Sequence, residues 1–246
     1  MKYSSGEKVL PLAPVSDKLQ LDQFLLDSKP DADIAAELQS LGQLIQQHVE
    51  NNYHLQPVQR SPNVLAQTLV QLGLYEQDSS AAISLASLAV DPRTRWAALQ
   101  HVISRVTFAS SSLDAVNAAL TRWRQLSAFL LHPTRSERTP LVPSEDVSTQ
   151  QAQQLAVALG RFLDAFVSGD REVRYEQENH LREVIVECAA FGYLLFSQPS
   201  EFQFRYNDES SSNGIVICPG LDKIADEEGR RYAKPYTLVA PVVEGA

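Results

Sequence analysis

Four side chains in this chain have the types and spacing to do chemistry together. His48 and Asn52 stand four residues apart, Tyr53 follows directly, and His180 lies far along the chain. An imidazole beside a phenol and a carboxamide can move protons or orient the polar end of a ligand. His48 and Asn52 also continue a helical stripe of apolar residues, so they point the same way as a core face. The plainer alternative is a buried hydrogen-bond network that closes one end of a helix pair, because buried polar groups need partners. An enzymatic version would add Glu176 to His48, Tyr53 and His180, and would need all four in one cleft.

Other chemistry finds little support. Glu176, four residues before His180 with Gln177, Glu178 and Asn179 between them, misses the Glu-x-x-His spacing of di-iron bundles, and no second set of ligands matches it. His-Glu-x-x-His is absent. No Gly-x-Ser-x-Gly elbow and no glycine-rich phosphate loop occurs. Cys188 sits in an apolar helical run and Cys218 in an apolar strand-like run, so both read as buried free thiols. The expectation is no catalytic residue, no metal and no cofactor. Trp96 and Trp123, flanked by Arg93, Arg95, Arg122 and Arg124, could form a surface for single strands. The net charge of -9 argues against nucleic acid. The expected reading is therefore core tryptophans with arginines on the solvent rim. A phosphorylation site at Thr139-Pro140, beside Arg135 and Arg138, is a further candidate.

The elements that would position these groups follow from periodicity. The 246 residues are 44% apolar and 21% charged, which fits a globular chain that needs no disulfide to hold its core. Residues 1–15 read as an irregular arm. Residues 16–199 read as a helical domain interrupted by an exposed, proline-punctuated loop at 133–148. Ile34, Leu38, Leu41, Ile45, His48 and Asn52 form one face of a helix over 33–56, closed by Pro57. Ser61-Pro62 and Asp91-Pro92 read as helix starts. Residues 79–90 read as a buried helix, and 111–130 as another. Ser148 or Thr149 opens the next, with Gly169 as its left-handed cap. Asp170 caps the longest helix, which runs to about Ser197 with Val173, Gln177, His180, Val184, Cys188, Phe191 and Leu195 on one face. Residues 200–246 read as a small β-rich segment of three strands: 202–206, 215–218 and 236–243. The fold class is mainly α, a multi-helix antiparallel bundle-like domain with a small C-terminal antiparallel β element.

Two stretches carry a family resemblance. One runs from Asp33-Ile34-Ala35-Ala36-Glu37-Leu38 through Leu41-Gly42, Ile45 and His48-Val49-Glu50-Asn51-Asn52-Tyr53-His54. The other is Ile215-Val216-Ile217-Cys218-Pro219-Gly220-Leu221 with Asp226-Glu227-Glu228-Gly229. Together they resemble a group of uncharacterised, mainly helical proteins from filamentous fungi. The resemblance implies a fungal, non-secreted context and no transferable activity. Similar proteins pair such a region with a membrane segment, which leaves membrane association open beside a cytoplasmic location.

The expected function is a non-catalytic protein–protein interaction or regulatory module that binds a partner or a second copy of itself. The alternative is a small-molecule or lipid-binding helical domain, with a pocket between helices where His48, Asn52, Tyr53 and His180 would orient an apolar ligand's polar end. The absence of a leader-like segment or long apolar run points to an intracellular, cytoplasmic protein.

Overall fold

The computed structural model describes residues 28–76, 80–109, 145–206, 214–227 and 230–245. The chain is helix-rich with antiparallel strands at its C-terminal end. The helices are α1 (Asp31–Asn52), α2 (Pro62–Gln71), α3 (Ser80–Val90), α4 (Arg95–Ala109), α5 (Glu145–Leu163) and α6 (Arg171–Ser197). The strands are β1 (Glu201–Arg205), β2 (Gly214–Cys218), β3 (Gly220–Ala225), β4 (Arg231–Val239) and β5 (Val242–Gly245). The arm at 1–15, the first residues of the expected helical domain, 16–27, the helix expected over 111–130 and Thr139 lie outside the described residues.

Helix α1 buries the stripe its sequence dictates: Ile34, Leu38, Leu41, Ile45, His48 and Val49. It stops earlier than its pattern suggests. Tyr53 already has extended backbone, φ -119° and ψ 136°, which turns its ring back into the core. Ser61 precedes Pro62 at the start of α2 but makes no side-chain cap. Asp91-Pro92 does not open α4. Asp91 instead accepts from the Arg93 backbone N–H at 3.0 Å, and the helix proper begins at Arg95. The left-handed glycine is Gly73 after α2, at φ 74°, not Gly169. Helix α5 begins at Glu145, so the last four residues of the expected 133–148 loop are helical. Asp170 caps α6 as expected, its Oδ1 accepting from the Glu172 and Val173 amides at 2.8 and 3.3 Å.

The tail forms more strands than the three expected. β1, β3 and β4 make one antiparallel sheet in that order, and β2 pairs with β5 in another. Phe204 of β1 pairs with Leu221 of β3, and its ring lies 5.0 Å from that of Phe108 of α4 at a tilt of 40°, which docks the sheet on the helices. Lys223 of β3, 9% exposed, reaches Asp31 at the start of α1 with Nζ–Oδ1 of 3.0 Å. Among the described residues, no helix is long and apolar enough to cross a membrane.

Candidate functional site

The groups singled out in the sequence meet where α1 packs on α6. His48 is fully buried, at 0% exposure, and Tyr53 is buried beside it. His180 and Asn52 are half-buried at the edge. His48 Nδ1 lies 2.7 Å from His180 Nδ1, and the two rings stack with centroids 5.0 Å apart. His48 Nε2 lies 3.1 Å from the Tyr53 hydroxyl. Gln177 completes the row, its Nε2 donating to the same hydroxyl at 2.8 Å. The sequence placed Gln177 on the apolar face of its helix but assigned it no part in the site. Its partner is 124 residues away.

One assignment of protons gives each of these three contacts one donor and one acceptor. The Gln177 amide donates to the Tyr53 oxygen, and the Tyr53 O–H donates to His48 Nε2. His48 then carries its proton on Nδ1 and donates to His180 Nδ1. Asn52 Nδ2 has its own acceptor in the His48 carbonyl at 2.9 Å, so its longer 3.3 Å approach to His48 Nδ1 is not required. Burial, with the neighbouring His180 as the smaller cause, pulls the His48 pKa from 6.5 down to about 3, so the ring is neutral. Burial drives the Tyr53 phenol far above its ordinary range.

This geometry limits what the group can do. His48 and Tyr53 spend their polar atoms on one another and on Gln177 and His180. Glu176 is exposed, and no hydrogen bond joins it to His180 among the described residues. Among those residues, no group of three His, Cys, Asp or Glu side chains is placed to hold a metal. Both cysteines are unpaired and buried. Burial pushes the Cys188 thiol up to about 12 and the Cys218 thiol up to about 11, so neither is a nucleophile at neutral pH.

A second polar centre was not legible in the sequence. Arg95 is fully buried, with 0% exposure, rather than lying on a solvent rim. Its guanidinium donates to four backbone carbonyls: Ala89 at 2.9 Å, Val90 at 2.7 Å, His54 at 2.7 Å and Gln56 at 2.8 Å. Ala89 and Val90 end α3, so the negative end of that helix stands in for a carboxylate. The Phe166 ring lies 5.4 Å from the guanidinium carbon. Trp96 packs against the core, as the plain reading expects. Buried His101 donates from Nδ1 to the Val216 carbonyl at 2.7 Å and thereby ties α4 to β2. Glu50 takes its hydrogen bond from Gln46, and the His54 backbone N–H donates to the Phe166 carbonyl.

The open surface lies elsewhere. Between α5 and α6 runs a cleft of about 480 Å³. Ala152, Leu155, Ala158, Ile185, Ala189 and Phe196 supply much of its apolar wall, and Gln151, Gln154 and Tyr193 bring polar groups to it. Its described lining contains none of His48, Asn52, Tyr53 and His180. Another hollow in the same helix pair, about 310 Å³, is lined by Arg161, Asp164, Gln177, Glu178 and Arg182 among others. Comparison with family models, with curated proteins and with solved structures finds no match to this chain.

Proposed function

We propose that this chain is a non-catalytic helical binding module whose α5–α6 cleft takes a small apolar ligand. The observation that carries this reading is the cleft itself. About 480 Å³, walled mainly by small and aliphatic side chains with a few polar groups, matches the size and character of ligand pockets. His48 and Tyr53, whose polar atoms are engaged by one another and by Gln177 and His180, support a non-catalytic role for that pair, because a general base must have a free position to offer a substrate. They also revise how a ligand would be oriented. Gln151, Gln154 and Tyr193 replace His48, Asn52, Tyr53 and His180 in that task. An antiparallel, bundle-like packing of the helices belongs to this proposal, with the cleft as the gap left between two of them.

A protein partner is the second reading. Val157 on α5, and Val173, Tyr175 and Val186 on α6, are exposed on the same two helices. Native mass spectrometry of the purified chain, with displacement of the neutral dye N-phenyl-1-naphthylamine, tests the first reading. Dye binding that disappears in Ala189→Trp, which fills the cleft, is the expected result. Dye binding unchanged by Ala189→Trp, or no dye binding and no co-purifying mass, overturns it. Light scattering that reports a dimer broken by Tyr175→Glu would then favour the second.

A further inference from the structure

The contacts of the Gln177–Tyr53–His48–His180 row can be made in either of two directions. In the first, the Gln177 amide donates to the Tyr53 oxygen at 2.8 Å, Tyr53 donates to His48 Nε2 at 3.1 Å, and His48 donates to His180 Nδ1 at 2.7 Å. In the second, every hydrogen bond is reversed. His180 donates from Nδ1, His48 carries its proton on Nε2 and donates to Tyr53, and Tyr53 donates to Gln177 Oε1 once the carboxamide turns over. A neutral imidazole, a phenol and a carboxamide each both donate and accept, and the two ends of a carboxamide are close in size, so both directions pair all three contacts. Asn52 Nδ2, 3.3 Å from His48 Nδ1, is a further donor to that nitrogen in the second direction.

A proton chooses between them. His48 is fully buried, whereas His180 is half-buried at the edge. Burial first, and the neighbouring ring second, keep a charge off His48, so a proton arriving in acid rests on the outer ring. An imidazolium carries hydrogen on both nitrogens and accepts nothing. His180 then cannot take a hydrogen bond from His48, and the second direction alone remains. The groups around the row are His48 and Tyr53 from α1 and its end, Glu176 and Glu183 one turn to either side of His180 on α6, and Asp164 after α5, which bears on Tyr53. We infer that the row is a proton-driven relay: a proton taken up by His180 at the α1–α6 edge reverses it and turns over the Gln177 carboxamide. Gln177 also lines the hollow of about 310 Å³ between α5 and α6. With His180 neutral, Tyr53 holds Nε2 of Gln177 and the hollow is offered Oε1. With His180 charged, Tyr53 holds Oε1 and the hollow is offered the amide N–H. An acceptor there is traded for a donor, and His48 stays neutral throughout.

Nitrogen-15 NMR of the whole chain reads the direction from the two ring nitrogens of His48, titrated from neutral pH into mild acid. The expected result is that the protonated-type and bare-type shifts of His48 Nδ1 and Nε2 exchange places while His180 becomes an imidazolium. The side-chain amide signals of Gln177 should move with the same midpoint. In His180→Gln, at the edge of the packing, the outer ring is gone, and His48 and Gln177 should both hold still over the same range. In Tyr53→Phe the link to Gln177 is cut, so His180 should take its proton while the Gln177 signals stay where they are. A His48 ring that keeps its Nδ1 proton throughout, or that becomes an imidazolium together with His180, overturns the inference. A Gln177 shift that persists in His180→Gln or Tyr53→Phe overturns it as well.

Discussion

Replacing His48 by glutamine removes a group whose burial makes the fold sensitive to acid. In the folded chain the His48 ring resists a proton until about pH 3, whereas an unfolded histidine takes one near 6.5. Below pH 6.5 the unfolded state therefore binds more protons, and stability falls as pH falls through the window from 6.5 to about 3. From pH 7 to pH 5 the expected loss from this one ring is about 2 kcal/mol, at about 1.4 kcal/mol per pH unit once the unfolded ring is titrating. His101, buried and held neutral for the same reason, adds loss of the same sign. In His48→Gln the carboxamide can still meet the Tyr53 hydroxyl, but it does not titrate. Urea unfolding of both proteins at pH 7 and pH 5 gives the two differences directly. The variant should be weaker at pH 7 yet lose about 2 kcal/mol less than the parent on going to pH 5. Equal losses in the two proteins would mean that His48 is not held neutral by its surroundings, and the proton assignment of the row would go with it.

Other perturbations probe the remaining contacts. Arg95→Leu leaves four backbone carbonyls without their donor and should cost about 3–5 kcal/mol in urea unfolding, whereas a change under 1 kcal/mol would show that water reaches them. A Cβ at Gly42 would meet the Cys218 Sγ at 2.9 Å, so Gly42→Ala should destabilise by about 1 kcal/mol despite its better helix propensity. In a Cys218→Ala background the same change should become neutral or stabilising, a coupling that a double-mutant cycle reads. Asp170→Ala removes the cap of α6 and should cost about 1 kcal/mol. Ellman's reagent should find neither thiol in the native protein and both in urea. Rapid labelling of Cys188 or Cys218 without denaturant would contradict their burial.

The helices were legible where local chemistry and packing agree. The α1 stripe is regular at three- and four-residue steps, and Asp170 satisfies the first amides of α6 without help from any distant residue. What could not be read depends on partners far away in sequence. β3 contains Asp222 and Lys223, and Lys223 belongs in a strand interior only because Asp31 meets it across 192 residues. Arg95 reads as a surface residue until the end of α3 and the carbonyls of His54 and Gln56 close around it. His48, Asn52, Tyr53 and His180 were each identifiable, but their meeting depends on the register of α1 against α6. Neither stripe carries that information by itself. The α5–α6 cleft left no signal, because a gap between helices is a property of how two faces fail to fill the space between them.

The fastening of α1 has a consequence for how the chain folds. Its first residue is held by Lys223, and its end by His180, 132 residues later. The backbone amide just before it, at Lys29, donates to Gln198 across 169 positions. Helices ordinarily assemble quickly because their contacts are local, but these attachments close loops that span most of the molecule. The helix itself can wind in microseconds, yet its docking is complete only when α6 and β3 are in place. Stopped-flow refolding should accordingly separate a fast rise in helicity from a slower, single closing step reported by Tyr53.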